Sequence, residues 1–477
     1  MAVRPAKHYR LFFSTMLADF LSGPKLFLQK VIVKIGRRAQ AGGLKPPALL
    51  KSIERAGVPD NTSERDFRDP IIPSAEPKHA SEARVLYLVN SAQPYTVSGY
   101  TVRTQKLLLE LKREGAAVFP VTRLGYPATI GEVPEQDVID AGGITYFLLL
   151  PTRMSLRRNK NRQQAINLLV KLARQLDVTL LHTTTDFRNA SLISEAARIL
   201  GVPWVYEVRG ERDRTLAIKG AASRNGDFLE QFRQRETLAM RAASAVFVLS
   251  EVSRRRVQNR GIPKDRIFVV PNGFDWDEAS SVPDKKSARE RLGLPSKTKL
   301  IGTITSVEDY EGIDALILAL EFLDNDIKAL VVGSGSALPA LQQLAAQRGL
   351  GDRVIFAGKQ DPQAVPLWCA ALDAFVLPRR DLEVCRAVTP LKPMLAMGMK
   401  IPVVASDLPA VREATGELAL YIPPDDPESL SEALRKVLAD PESFYGHSLD
   451  TFLETRTWRS SAQIMLQAYE EIVTHGV

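Results

Sequence analysis

The chain has 477 residues, 45% of them hydrophobic and 25% charged, which is enough for two or three globular domains with sizeable cores. Its formal net charge of +8 favours an anionic partner such as a phosphate-bearing ligand, a nucleic acid or an acidic membrane face. There is no basic–aromatic platform or known nucleic-acid motif, so we predict no nucleic-acid partner. Two cysteines are too few for a disulfide framework and fit a reducing cytoplasm. No apolar run reaches the length of a membrane span, and the first residues do not read as a signal peptide.

Residues 1–83 are predicted to be a basic extension and linker. Up to residue 40, eight lysines and arginines are opposed only by Asp19 and alternate with leucine, isoleucine and phenylalanine. Two short amphipathic helices, hinged at Gly23 and Pro24, would suit an anionic membrane surface. The alternative is that residues 1–40 pack on the body of the protein or on a partner protein. Residues 42–84 are rich in proline, serine and charge, which is typical of a linker.

From Arg84 onward, buried strands alternate with amphipathic helices. Residues 84–275 include the strands VLYLV, VTLLHTT, WVYEV and AVFV, and residues 276–455 restart the alternation with KLIGTIT and KALVVGSG after a polar break at 275–297. This pattern predicts an α/β fold with two doubly wound, Rossmann-like domains, each a parallel sheet covered on both faces. Residues 456–477 read as a final amphipathic helix. Ligands in such sheets bind beyond the carboxyl ends of the strands, and a cleft between two domains is the default site.

Several segments occur in an order that resembles a known family. They are PYTVSGYTVRT (94–104), HTTTDFRNA (182–190), VPWVYEVRG (202–210), IGTITSVEDYEG (301–312) and VTPLKPMLAM (388–397). From about Arg84 to the end, the chain resembles the retaining GT-B glycosyltransferases of family GT4, in the branch with a TPLKP donor motif.

The resemblance implies a hexosyltransferase whose two domains face a central cleft. A nucleotide-diphosphate sugar would be held mainly by residues 276–455 and a glycan or lipid-linked acceptor mainly by residues 84–275, with the helix in 456–477 crossing back to the first domain. Transfer would proceed with retention and without a metal or other cofactor. The usual context is bacterial surface polysaccharide or glycoconjugate biosynthesis, in the cytoplasm or at the inner face of the cell membrane.

The donor site is predicted around the TPLKP motif. Thr389 suits a helix cap and Pro390 a first helical position, which places Lys392 in the first turn. Free amide groups and the ammonium group would then attract the diphosphate and stabilise the charge that develops on it as it leaves. The alternative is an ordinary exposed lysine. The candidate donor-binding residues are Ser306, Gly358, Lys359, Thr389, Pro390, Leu391, Lys392 and, less directly, Glu383, with Arg379 and Arg380 as further cations.

In the first domain, the resemblance places the turn formed by Ser98, Gly99 and Tyr100 beside the donor phosphates and the acceptor. Arg103 and Arg209 are predicted to face the ligand, the alternative being structural ion pairs. His182 ends a strand and, with Lys392 and Arg209, is a candidate catalytic residue; a structural histidine is the alternative.

Three positions depart from the family pattern, and at a fourth, Ala387, the TPLKP branch itself is often non-acidic. The usual pair of glutamates, the second of which binds the donor ribose, aligns with Ala387 and Leu395, and a second histidine aligns with Thr184. A glycine before the following strand is replaced by Lys400. Glu383 lies nearby in the sequence and is a candidate substitute. These departures leave open an alternative, a catalytically degenerate protein that acts as scaffold or regulator of another glycosyltransferase.

Overall fold

The computed structural model describes residues 11, 14, 15, 83–214, 226–441 and 444–475. Most of the predicted basic extension, and with it the predicted membrane-binding helices, lies outside these residues. Of the part described, Leu11 is buried and the Ser14 hydroxyl accepts a hydrogen bond from the Met154 amide at 3.0 Å. These residues of the extension therefore pack on the folded protein.

The chain forms two compact units. Unit 1 contains residues 1–248, 256–269 and 462–477, and unit 2 contains residues 249–255 and 270–461. The main division thus falls between Val269 and Val270. Two helices have residues in both units, namely α5 (Glu251–Gln258) and α16 (Trp458–His475).

Unit 1 is built on one eight-stranded sheet with the order β3-β4-β2-β1-β5-β6-β7-β8, parallel except for the antiparallel edge pair β3 and β4. Its strands are β1 (Arg84–Val89), β2 (Ala117–Thr122), β3 (Val138–Ala141), β4 (Ile144–Phe147), β5 (Leu180–Thr184), β6 (Trp204–Val208), β7 (Ala245–Val248) and β8 (Ile267–Val269). Its other helices are α1 (Gly99–Arg113), α2 (Arg158–Gln175), α3 (Phe187–Leu200) and α4 (Gly226–Ala242).

Unit 2 is built on a six-stranded, wholly parallel sheet with the order β11-β10-β9-β12-β13-β14. Its strands are β9 (Lys299–Ile304), β10 (Ile327–Val332), β11 (Val354–Gly358), β12 (Ala374–Leu377), β13 (Val403–Ser406) and β14 (Leu420–Ile422). Its helices are α6 (Trp276–Ser280), α7 (Lys285–Leu292), α8 (Ile313–Ala319), α9 (Leu338–Gln347), α10 (Val365–Ala370), α11 (Glu383–Ala387), α12 (Pro393–Gly398), α13 (Pro409–Ala414), α14 (Pro427–Ala439) and α15 (Ser448–Thr455).

The two faces of the second sheet are both buried, because neighbouring residues of one strand enter different apolar clusters. In β9, Ile301 packs in one cluster and Leu300 in the other, and β10 repeats this with Val331 and Leu330. Continuous apolar runs are what a parallel sheet covered on both faces requires. The prediction of two doubly wound α/β units is confirmed.

Two local features of the fold were not predicted. The hairpin of β3 and β4 was not predicted, although Gly142 and Gly143, both with positive φ, stand between two β-prone runs and form a typical hairpin signal. The polar break at 275–297 contains the short helices α6 and α7.

The predicted helix start at Pro390 is wrong, because α12 begins at Pro393 with Lys392 as the residue before it. A helix capped by Thr389 would need the amide of residue 393 for its first internal hydrogen bond, and proline has none. Pro393 is favourable only as the first helical residue.

Within the described residues, no helix combines the length and the apolar composition that a membrane crossing needs.

Candidate functional site

The order in which successive strands are added to the second sheet reverses between β9 and β12, although all the strands are parallel. Strands β10 and β11 continue on one side of this pair, and β13 and β14 on the other. Loops at such a switch point diverge and leave room for a ligand beyond the carboxyl ends of the strands. Thr305 directly follows β9, and Arg379 lies two residues after β12. The segments predicted to bind a donor therefore start at the place in unit 2 where a ligand is expected.

A buried carboxylate with two cations occupies this point. Glu311 is 2% exposed, and its Oε1 lies 3.0 Å from the Lys392 ammonium and 3.2 Å from the Arg379 guanidinium. The Lys392 ammonium also donates a hydrogen bond to the Thr305 hydroxyl. Arg379 in turn donates to the Val388 carbonyl at 3.0 Å, which fixes the chain just before the TPLKP motif. We call Glu311, Arg379, Lys392 and Thr305 the Glu311 cluster.

The backbone after β9 is shaped to deliver Glu311. A single 3₁₀ turn, Asp309–Glu311, ends at Gly312, which has a φ of +65°. A Cβ at Gly312 would lie 1.9 Å from the Pro378 carbonyl oxygen, so only glycine fits there. This close approach holds the loop after β9 against the loop after β12, and so brings Glu311 to Arg379.

The charges of the cluster are strongly coupled. Burial raises the pKa of Glu311, but Arg379 and Lys392 outweigh it and bring that pKa down to about 2. Burial lowers the pKa of Lys392 more than the nearby Glu311 raises it, so the pKa of Lys392 lies below its usual value. Arg379 is buried, whereas the Lys392 side chain is 26% exposed. With one carboxylate and two cations, the cluster carries a net positive charge that reaches solvent through Lys392.

The other predicted donor residues lie on the same edge of the sheet or in the motif. Ser306 follows β9 and is exposed, and exposed Lys359 follows Gly358, which ends β11 with a φ of +69°. In the motif, Pro390 is buried, Leu391 is half-buried, and the Thr389 hydroxyl is buried without a hydrogen-bond partner. Their contact with a donor stays a prediction.

Three of the positions discussed against the family pattern, and Glu383, have defined places in unit 2. Leu395 lies on α12 and packs against the apolar cluster beneath it, and Ala387 is buried at the end of α11. Lys400 adopts a φ of +58°, the left-handed conformation that a glycine takes without strain. Glu383 is the first residue of α11 and is exposed.

A second carboxylate with two cations lies in unit 1. Glu207, at the end of β6, is fully buried and accepts hydrogen bonds from Arg103 at 2.9 Å and from Arg209 at 2.7 Å. The Tyr87 hydroxyl donates to the same carboxylate at 2.6 Å. Burial raises the pKa of Glu207, but Arg209 and Arg103 hold it well below its usual range. We call Glu207, Arg103, Arg209 and Tyr87 the Glu207 cluster.

The Glu207 cluster supports the loop predicted to contact the acceptor. Arg209 donates to the Tyr100 carbonyl at 3.0 Å and to the Thr104 hydroxyl at 2.7 Å. Ser98 caps α1, with reciprocal hydrogen bonds between it and Thr101. Tyr100 itself is 58% exposed, so its side chain is accessible while its backbone is fixed.

His182 belongs to the core of unit 1. Its side chain has no exposed surface, its ring stacks on Tyr87 at a centroid distance of 4.0 Å, and its Nδ1 lies 2.6 Å from the Tyr469 hydroxyl. Burial lowers the pKa of His182 to about 3, so the ring is neutral. Thr184, which ends the same strand, is also buried. These surroundings favour the structural alternative for His182, and the same holds for Arg103 and Arg209, whose side chains are almost fully buried in ion pairs.

Sequence reasoning missed the two glutamates that organise these clusters. Glu207 lies in β6 and Arg209 directly follows that strand, two residues further on, a spacing that places side chains of extended backbone on the same face and was a usable signal. Nothing in the sequence joined Glu311 to Arg379 or Lys392, since 68 and 81 residues separate these pairs. Within the described ranges, no group of three or more His, Cys, Asp or Glu residues is placed to bind a metal ion.

Comparison with known proteins decides the family. Residues 98–273 match the model of the glycosyl transferase 4-like domain, and residues 284–445 match that of glycosyl transferases group 1. The chain belongs to the GT4-like glycosyltransferases. The first match lies mainly in unit 1 and the second in unit 2.

The GT4-like chain is similar to several characterised proteins. Over 52% of its length it is 26% identical to the alpha-D-kanosaminyltransferase of Streptomyces kanamyceticus, covering 64% of that protein. Over 39% it is 34% identical to the D-inositol 3-phosphate glycosyltransferase of Xylanimonas cellulosilytica, covering 46% of it. The alignments thus span about half to two thirds of these relatives.

A solved structure shows the same fold. HepE from Anabaena, in complex with UDP and glucose, superposes with a TM-score of 0.60 at 18% identity, covering 81% of this chain and 99% of HepE. The fold is that of the GT-B glycosyltransferases, as the resemblance implied.

Proposed function

We propose that the protein is a retaining hexosyltransferase that uses a nucleotide-diphosphate sugar bound by unit 2. The observation that carries the proposal is Lys392, a lysine whose side chain is 26% exposed at the switch point of the second sheet, in a cluster with a net positive charge. In a nucleotide-diphosphate sugar, the negatively charged diphosphate is the group that this positive charge would attract. HepE, which shares the fold, was crystallised with UDP and glucose, which supports a nucleotide sugar as donor.

Cleavage of the bond between the sugar and the diphosphate requires stabilisation of negative charge more than it requires a proton donor. When the bond between the sugar and the diphosphate breaks, negative charge grows on the departing phosphate and the sugar takes on oxocarbenium character. Lys392 would sit beside the departing phosphate and stabilise that charge, and Ser306, Gly358 and Lys359 would border the same site. Since α12 is short and starts only at Pro393, we assign the stabilisation to the ammonium group rather than to the helix terminus.

The relatives are named for sugar transfer, which favours an active enzyme over the degenerate scaffold. We propose a glycan or lipid-linked acceptor beside the Ser98–Tyr100 loop, in bacterial surface polysaccharide or glycoconjugate biosynthesis at the inner face of the membrane.

The test is a donor-hydrolysis and transfer screen with UDP-, GDP-, ADP- and TDP-sugars on the wild type and on Lys392→Ala. We expect the variant to keep its fold and to lose turnover by about 100-fold or more, the cost of removing one well-placed charge-stabilising group. Lys436→Ala is the matched control, because Lys436 is exposed on α14 in the same unit, and its turnover should match the wild type. Unchanged turnover of Lys392→Ala would contradict the proposal.

A further inference from the structure

We infer that Glu311 is a positioning residue that holds Lys392 and Arg379 for diphosphate binding. The inference rests on the proposed function and assigns a role to a carboxylate that a bound diphosphate would repel. The sequence resemblance places an arginine and a lysine in this loop of many family members, whereas this chain has Ser306 and Glu311 there, in the sequence YEG that is common in the TPLKP branch. The loop has thus lost its positive charge, yet it lies at the switch point where the diphosphate is expected.

The distances around Glu311 indicate what a carboxylate contributes at this position. Glu311 Oε1 lies 3.0 Å from the Lys392 ammonium and 3.2 Å from the Arg379 guanidinium, so one oxygen atom bridges two cations that come from different loops. Without it, two buried or half-buried cations would face each other across a few ångströms. Like charges that close would repel and would favour either movement of the lysine or loss of its proton.

The two carboxylate clusters differ in one respect that separates support from ligand binding. In the Glu207 cluster, both cations are buried, with side-chain exposures of 2% and 3%, so every charge is satisfied within the protein. In the Glu311 cluster, Arg379 is likewise buried at 8%, but Lys392 is 26% exposed. Lys392 has spare hydrogen-bonding capacity, since an ammonium group has three donors and Glu311 and Thr305 accept two. Its third donor is available to a phosphate oxygen.

The same sheet provides a matched control. Asp373 also joins two cations, Lys285 at 2.7 Å and Arg289 at 2.6 Å, and it accepts the amide of Leu300. Asp373 precedes β12 and Leu300 lies at the start of β9, so this ion pair ties the amino ends of the two strands whose carboxyl ends carry the Glu311 cluster. Asp373→Asn therefore removes a comparable charge from the edge where no diphosphate is expected.

The experiment is calorimetric titration of the full chain with UDP, GDP, ADP and TDP between pH 7.5 and 10.5, followed by the best of these with the variants. We expect Glu311→Gln to raise the dissociation constant about 10-fold at pH 8, the effect of misplacing one charge-assisted hydrogen bond. We also expect the loss of affinity at alkaline pH to begin at a lower pH, because Glu311 no longer keeps Lys392 protonated. Asp373→Asn should unfold at a lower temperature and bind with the affinity and pH dependence of the wild type.

Two further variants separate positioning from folding. Glu311→Asp keeps the charge but withdraws it by one methylene group; it should fold and bind several-fold more weakly, and it replaces Glu311→Gln if that variant does not fold. In a Lys392→Met background, Glu311→Gln should change the affinity by less than about twofold, because residues that act through one another are not additive.

The outcomes are distinct. Suppose that the wild type binds a nucleoside diphosphate, and that Glu311→Gln binds it with the same affinity and loses affinity over the same alkaline pH range. The inference is then overturned and the proposed function stands. If the wild type binds none of the four, the proposed function fails and the inference fails with it.

Discussion

Lys400 is a lysine in a backbone conformation that suits glycine. Its φ is +58°, and among the described residues its ammonium group makes one long ion-pair contact, at 3.6 Å, with the exposed Asp450. The left-handed conformation costs a residue with a Cβ about 1–2 kcal/mol, and an exposed ion pair at that distance returns little.

We expect Lys400→Gly to raise the free energy of unfolding by about 1 kcal/mol, measured by urea denaturation. Lys400→Ala is the control, since it removes the charge but keeps the Cβ, and it should bring no comparable gain. An equal gain in both variants would show that the lysine side chain, not the backbone, is responsible.

Glu236 is a buried carboxyl group that is not paired with a cation in its hydrogen bonds. It is 5% exposed, and accepts from the Phe187 amide at 2.7 Å and from the Tyr206 hydroxyl at 2.6 Å. Burial raises its pKa to about 7. Because the folded pKa lies above the unfolded value, the folded state binds the proton more tightly, and the stability this contributes is lost as the pH rises through 7.

We therefore expect the contribution of Glu236 to the free energy of unfolding to fall between about pH 4.5 and pH 7, and Glu236→Gln, which cannot ionise, to remove that part of the slope. Urea denaturation of both proteins at several pH values measures it. Parallel pH profiles for wild type and variant would contradict the assignment.

Helix α16 is joined to the first sheet by a buried polar contact. Tyr469 is fully buried, and its hydroxyl lies 2.6 Å from His182 Nδ1. Tyr469→Phe would leave a buried ring nitrogen without a partner and should lower the free energy of unfolding by about 1–3 kcal/mol.

Thermal or urea denaturation of Tyr469→Phe tests this, with Gln467→Ala as the control, because Gln467 is exposed on the same helix. Equal stabilities of the two variants would mean that the buried contact contributes nothing.

The elements that sequence predicted well are those with long, regular patterns. The runs VLYLV and AVFV became buried strands, and LLLELK became part of α1, because periodicity alone distinguishes them. The start of α12 was misplaced because Thr389 and Pro390 look like a cap and a first turn, while Pro393 decides the matter through its missing amide. Short elements have too few residues for a period to be visible.

Only part of the candidate site could be predicted from the sequence, because its residues come from distant segments. Lys392 lies within the recognisable TPLKP motif, so a role for it in donor binding was predicted from local sequence. Its partners Glu311 and Arg379 come from distant loops that meet only because β9 and β12 are neighbours in the sheet. Strand order is a property of the folded chain, and so the charge balance of the site was not accessible from the pattern.

At the scale of the whole molecule, diphosphate binding by fixed cations predicts independence from added metal. We expect sugar transfer in EDTA to stay within about twofold of the untreated rate, because in the proposed function Lys392 and its neighbours would supply the positive charge. Dialysis against EDTA followed by assay, with and without added Mg²⁺ or Mn²⁺, measures this. Activity that disappears in EDTA and returns with metal would contradict it.

Unit 1 is assembled from distant parts of the chain, since it includes residues 462–477 as well as residues before 270. On the ribosome, Tyr469 emerges roughly 200 residues after β8, which at 5–20 residues per second is a delay of about 10–40 s. During that interval the ring of His182 lacks its partner and part of the apolar surface of the nascent unit is uncovered. Chaperones would therefore be expected to engage the growing chain until its last helix is made.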